Sequence, residues 1–265
     1  MLKRDGLKLL LAAALTALPL AASAQTTLEV GAYPSNPPFE FKKPDGTFDG
    51  FEVDVVKAVA AKLGAEVKFS DLGFQALFAA TSSRRIDLAI STIAVTPARL
   101  ENQGFTQPYV DTGLVLAAGP ASKVQSTADL RGKVVGAIAT STGENWIKEN
   151  RERLGIAEMK TYDTQSALFL DTANGRVDGA INDVGGVLYA MKTTKGMRIA
   201  ERFPSTSRIA MMMPKGAPNA ERINEALSAV KRDGTMLAIW RKWFDSDPPE
   251  GSSTLTPLPL PKPGT

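Results

Sequence analysis

The feature that most limits what this chain can become is an alternation of short apolar runs with segments of helical period, which occurs twice. In the first series, strand-like 28–33, 66–69 and 87–90 alternate with helix-like 53–63 and 74–82. In the second, strand-like 133–138, 159–162 and 179–181 alternate with helix-like 144–154, 166–174 and 184–192. Two such series predict an α/β protein built on mostly parallel sheets, with right-handed crossovers gathering the carboxyl ends of the strands on one edge. Open sheets bind ligands at that edge. Two apolar extended runs, 113–118 and 209–213, bracket the second series. As crossings, they divide the chain into a first lobe (25–113 and 207–247) and a second (114–206), with a hinged cleft between. As central strands, they would instead belong to a single domain. Amphipathic helices are expected at 220–231 and 235–244, and the Pro, Ser and Gly content of 248–265 predicts a disordered tail.

Residues 87–99, DLAISTIAVTPAR, place a possible site on that edge. The strand 87–90 runs into a loop of small residues. Thr96 then offers an N-cap hydroxyl and Pro97 a first helical position, so a helix starts there with Arg99 in its first turn. A cation so placed opposes the helix dipole, and an anion beside it would compensate; an ordinary surface arginine is the plainer reading. In the second series, Ser141-Thr142-Gly143-Glu144 follows a strand directly with capping-box spacing, a helix start whose free N–H groups can also hold a carboxylate. Asp183 ends another strand and reads either as an N-cap or as a charge at the cleft. The loop 34–39, PSNPPF, is stiffened by its prolines, and Phe51 stands at a junction of loop and helix, as core or as cleft wall.

Composition removes several classes of function. With neither His nor Cys, the chain has no Ser-His or Cys-His nucleophile pair, no disulfide framework and a poor ligand set for zinc, so no cofactor is expected. Lys3, Arg4 and Lys8, then apolar 9–20, then Ala22-Ser23-Ala24, make residues 1–24 a secretory signal peptide, which predicts a periplasmic protein. Without those residues 28 basic side chains face 27 acidic ones, and so balanced a surface argues against nucleic acid.

Eight segments in order resemble the periplasmic solute-binding proteins for amino acids that serve ABC importers. They are PPFEF at 37–41, GFEVD at 50–54, AVTPAR at 94–99, PYVDTG at 108–113, ADLRGKVVG at 128–136, STGENW at 141–146, GRVDGAIND at 175–183 and DGTMLAIWRKWF at 233–244. The resemblance implies a two-lobed fold of the type II periplasmic-binding-protein kind that closes on one amino acid, and transient docking to a membrane-embedded ABC permease. It makes Arg99 the carboxylate partner, shared with backbone N–H groups near Ala94, Ser141 and Thr142. Asp183 would take the ammonium with Thr92 as a second acceptor, and Phe51 would wall the side-chain pocket. Asn36 replaces the aromatic residue of many members, and Ala94 a Ser or Thr. An amide at 36 suits a polar ligand. The cleft loops add neither a second cation nor a second acid, so a neutral or polar amino acid is expected, and a receptor that closes freely is expected to be a monomer. The same scaffold also carries cyclohexadienyl dehydratases; such an enzyme would need a general acid, for which Glu40 and Glu144 are the candidates. A sensor for a membrane kinase is a third reading, without a signalling segment to support it.

Overall fold

In the computed structural model, which describes residues 26–263, the chain forms two α/β lobes. The signal peptide expected over 1–24 lies outside the described residues. Strand β1 (Thr26–Ala32) is followed by a small meander, β2 (Ser35–Asn36), β3 (Glu40–Lys42) and β4 (Phe48–Asp49). Its strands are too short to show an alternating pattern. Next come α1 (Phe51–Leu63), β5 (Ala65–Asp71), α2 (Phe74–Ser82), β6 (Leu88–Ile90), the single turn α3 (Pro97–Leu100) and β7 (Gln103–Phe105).

The chain crosses to lobe 2 through β8 (Val110–Asp111) and enters it as β9 (Leu114–Ala118). There it builds β10 (Val134–Ile138), α4 (Thr142–Leu154), β11 (Glu158–Tyr162), α5 (Gln165–Ala173), β12 (Gly179–Asp183), α6 (Val184–Thr193) and β13 (Arg198–Arg202). It returns through β14 (Arg208–Ile209), which pairs antiparallel with β8, and enters lobe 1 as β15 (Met212–Pro214). Helices α7 (Ala220–Arg232) and α8 (Thr235–Phe244) then close lobe 1.

The sheets have orders β5-β1-β6-β15-β7 and β11-β10-β12-β9-β13. In each, one strand runs against the others, β15 in lobe 1 and β9 in lobe 2. Each odd strand is the one that arrives from a crossing. The run 209–213 is therefore two short strands rather than one, because residues 210–211 change partners on the way in: Ala210 N donates to Ile93 O (3.2 Å) and Thr106 N to Met211 O (3.0 Å).

Local chemistry explains the helix boundaries. In α1, Phe51, Val55 and Val59 recur at helical spacing and are fully buried, and the helix ends on Gly64 in the left-handed conformation (φ 65°). Gly50 before it has φ 134°, and a Cβ there would come 2.2 Å from Phe39 O, so no side chain fits.

The tail corrects the expectation of disorder. Residues 248–263 lie on lobe 1, with Ser252, Ser253 and Thr254 buried. Lys231, 4% exposed, donates through Nζ to Pro108 O (2.7 Å), Ser253 O (2.8 Å), Gln107 Oε1 (2.9 Å) and Thr256 O (3.0 Å). Ser253 N binds Asp111 Oδ2 (2.8 Å) beside the crossing, and Leu258 N binds Gln107 Oε1 (2.8 Å). Burial pulls the Lys231 amine down to about 7. A buried ammonium needs acceptors, and this proline-rich segment, whose carbonyls are free of ladder bonds, supplies two of them. Composition alone counts the apolar side chains such a segment lacks and misses the carbonyls it offers.

Candidate functional site

The carboxyl edges of the two sheets face each other across a cavity of about 50 Å3. Lobe 1 lines it with Tyr33, Phe74, Ser91, Thr92, Ala94 and Arg99; lobe 2 with Leu114, Ile138, residues 141–143, Gln165, Asn182 and Asp183.

Arg99 reaches the cavity because α3 begins where the sequence places it, with Thr96 Oγ1 accepting from Arg99 N (3.2 Å) and Pro97 in the first turn. Its Nη1 donates to Ala94 O (2.8 Å) and its Nη2 crosses the cleft to Thr140 O (3.3 Å). The guanidinium also lies over the rings of Phe78 (5.0 Å) and Phe74 (5.9 Å). Arg99 forms no ion pair among the described residues. Burial lowers its pKa to about 10, so it stays charged at neutral pH.

Beside it, Thr92 occupies the left-handed region (φ 44°), an uncommon conformation for a β-branched residue. Buried acid chemistry holds it there. Thr92 N donates to Glu52 Oε2 (2.8 Å), and Asn36 Nδ2 donates to Thr92 Oγ1 (3.1 Å) and to Glu40 Oε1 (2.9 Å). Glu52 also accepts from the Tyr109 hydroxyl. Glu40 and Glu52 are both fully buried, and burial together with the neighbouring Glu52 charge pushes the Glu40 carboxyl well above the usual range.

On the other lobe, Ser141 caps α4 by accepting from Glu144 N (3.1 Å), while the Glu144 carboxylate accepts from Thr140 N (2.8 Å) and pairs with Lys148 (3.1 Å). Gly143 packs so closely on β12 that a Cβ would come 2.4 Å from Ile181 O. Asp183 serves both of its readings at once. It caps α6, accepting from Gly185 N (2.8 Å), accepts from the Thr112 hydroxyl at the crossing, and faces the cavity. Burial raises it to about 6, against the lowering effect of those two donors, and the Glu52 charge adds to the rise.

Two expected site residues are not in the cavity wall. Phe51 is fully buried in the core of lobe 1, with ring centroids 5.3 Å from Phe244, 5.6 Å from Trp240 and 6.3 Å from Tyr109. It points inward because it shares the stripe of Val55 and Val59, and α8 and the meander cover it. Asn36 is 1% exposed and stands behind Gln165, whose Nε2 donates to Asn36 Oδ1 (2.6 Å). The other six, Thr92, Ala94, Arg99, Ser141, Thr142 and Asp183, line the cavity.

Sequence reasoning overlooked Phe74, Ser91, Gln165 and Asn182 as wall residues. Phe74 and Gln165 are the first residues of α2 and α5, each following the carboxyl end of a strand. The rule that picked out Arg99 and Thr142 applies equally to those two junctions. Phe74 packs against both lobes' cores. Further contacts tie the lobes directly: Gln165 N to Tyr33 Oη (3.1 Å), Tyr33 Oη to Asp163 O (3.2 Å), and Ser35 Oγ with Ser166 Oγ (3.1 Å).

The profile of the bacterial extracellular solute-binding proteins, family 3, matches residues 28–246. The ABC transporter arginine-binding protein 1 of Escherichia coli (strain K12) is 31% identical over 245 residues, covering 89% of this chain and 98% of the relative. The L-cystine-binding protein TcyJ of the same strain is 28% identical over 225 residues, covering 83% and 84%. Among solved structures, an ancestral arginine-binding protein bound to arginine superposes with a TM-score of 0.78 at 33% identity, covering 83% of this chain and 99% of that one.

Proposed function

The chain belongs to the bacterial extracellular solute-binding proteins of family 3, and on that premise we propose that it captures a free amino acid with a neutral or polar side chain for an ABC permease. The family and the relatives are amino-acid receptors of ABC transporters rather than enzymes, which sets the dehydratase reading aside. The two acids that reading would need are also poorly placed. Glu144 is committed to the start of α4, and Glu40 lies outside the cavity.

The observation that carries the neutral-ligand reading is an account of charge. Among the described residues, Arg99 from one lobe and Asp183 from the other are the only ionisable side chains of the Asp, Glu, Lys and Arg types in the cavity wall. A zwitterion brings one carboxylate and one ammonium. Desolvating both is costly unless each finds an opposite charge and hydrogen bonds, and these two residues meet that need once. Donors near Ala94 and Thr142 and the Thr92 oxygens complete the two ends. A side-chain charge would find no partner. Because the two ends come from different lobes, ligand contacts exist fully only in the closed state, and that difference drives closure.

Among the described residues no helix is long and apolar enough to cross a membrane. The relatives are extracytoplasmic, and we take 1–24 as the export signal and the working form as a monomer. The mass of the exported chain, expected to begin at Gln25, and its size by light scattering test both. Calorimetric titration of the refolded mature protein against the twenty amino acids tests the ligand class: micromolar or tighter binding of a neutral amino acid is expected, and preference for a charged one would overturn it.

A further inference from the structure

Gln165 stands at the centre of a chain of amides that crosses the cleft. Its Nε2 donates to Asn36 Oδ1 (2.6 Å) on lobe 1, and its Oε1 accepts from Asn182 Nδ2 (3.3 Å) on lobe 2. The direction of this chain is fixed from below. Both Asn36 amide hydrogens are taken, by Glu40 Oε1 (2.9 Å) and Thr92 Oγ1 (3.1 Å), so Asn36 can show Gln165 only its oxygen. Gln165 must answer with its NH2 group. One Nε2 hydrogen and one Oε1 lone pair then remain, on a side chain that lines the cavity. Gly186 makes room for this placement, since a Cβ there would come 2.5 Å from Gln165 Oε1.

A group offering one donor and one acceptor side by side is complementary to another carboxamide, which returns an acceptor and a donor. A guanidinium or ammonium brings donors only and would leave the Gln165 hydrogen facing a cation. A carboxylate brings acceptors only, and an alkyl chain would leave both positions unpaired while covering them from water. Phe74, in the same wall, offers an apolar surface for the methylenes between the two ends of such a ligand. From this geometry we infer that Gln165 is a specificity-determining residue and that the ligand is an amino acid with a neutral carboxamide side chain, glutamine or asparagine. The inference rests on the amino-acid receptor reading above and deepens it.

The test is a comparison of affinities within each protein, which does not depend on how much of a variant folds. The refolded mature protein is titrated with glutamine, asparagine, leucine, glutamate and arginine. One of the two amides is expected to bind more tightly than leucine, glutamate and arginine, by about tenfold or more. In Gln165→Met, which keeps the volume and removes both polar atoms, the ratio of the better amide to leucine should fall to about unity. In Gln165→Glu, arginine should gain on the better amide by about tenfold or more, because the new charge faces donors. Tightest wild-type binding of leucine, glutamate or arginine would overturn the inference, as would an unchanged ratio in Gln165→Met or no gain by arginine in Gln165→Glu. Absence of binding by all five, and by the rest of the twenty, would instead remove the receptor reading on which it stands.

Discussion

Arg99 and Asp183 face one cavity from opposite lobes, both half-buried and neither paired with an opposite charge among the described residues, yet loss of solvent does different things to them. The guanidinium starts so far above neutrality that a fall to about 10 leaves its charge intact. The carboxyl starts below neutrality and rises to about 6, within reach of ordinary changes in pH. Their supports differ as well. Arg99 lies over two aromatic faces and against backbone carbonyls, acceptors that hold its position without cancelling its charge. Asp183 is held by a hydroxyl and a backbone N–H, which partly offset its loss of solvent. In the proposed pose the end that would take the carboxylate is thus insensitive to pH, and whatever pH sensitivity the receptor has should sit at Asp183, the end proposed for the ammonium.

The largest effect is expected of Arg99→Ala. It removes the cavity's one cation and should weaken ligand binding about a thousandfold by calorimetry, with little change in melting temperature. Binding within a few-fold of wild type would show that the carboxylate is held elsewhere. Asp183→Asn keeps the shape and removes the charge; a loss of about a hundredfold is expected. The same variant should lose the pH dependence that Arg99 variants keep.

That dependence is the next effect in size. An ammonium must displace the Asp183 proton before it can pair, so affinity should fall as pH drops through about 6, by about tenfold between pH 7 and pH 5. The sign for stability is opposite. A carboxyl whose folded pKa is raised binds a proton more readily in the folded state, so its burial costs the ligand-free protein least below pH 4 and most above 6. A ligand affinity flat from pH 5 to 7 would place the ammonium away from Asp183. The smallest effect belongs to Ala94→Ser, which returns a hydroxyl to the carboxylate end and should tighten binding about fivefold, equally at both pH values.

What the sequence made legible follows the same division between local and distant causes. Thr96, Pro97 and Arg99 set one helix start through contacts within four residues, and Ser141 with Glu144 set another, so both could be read from spacing. Asp183 was legible as cap and as charge because both roles arise where β12 meets α6. Phe51 was not, because its burial depends on Trp240 and Phe244, nearly two hundred residues away in sequence. Yet its spacing from Val55 and Val59 already pointed into the core. Gln165 and Phe74 were legible in principle from their junctions, whereas the amide chain through Asn36 needed the closed lobes to appear. The ordered tail depends on a buried lysine whose partners lie in two distant segments, 107–108 and 253–256.

The odd strand of lobe 1 has a consequence for how the molecule is made. Lobe 2 is one continuous stretch, so all five strands of its sheet are present once residue 202 has emerged during synthesis or export. Lobe 1 waits longer, because β15, residues 212–214, is the piece that joins β6 to β7, and α3 with Arg99 hangs between those two strands. Until the last fifth of the chain arrives, half of the cavity wall exists and its partner half has no completed sheet to hold it. A form ending before residue 212 would lack the strand that joins β6 to β7, and with it the sheet on which the Arg99 side of the cavity is built.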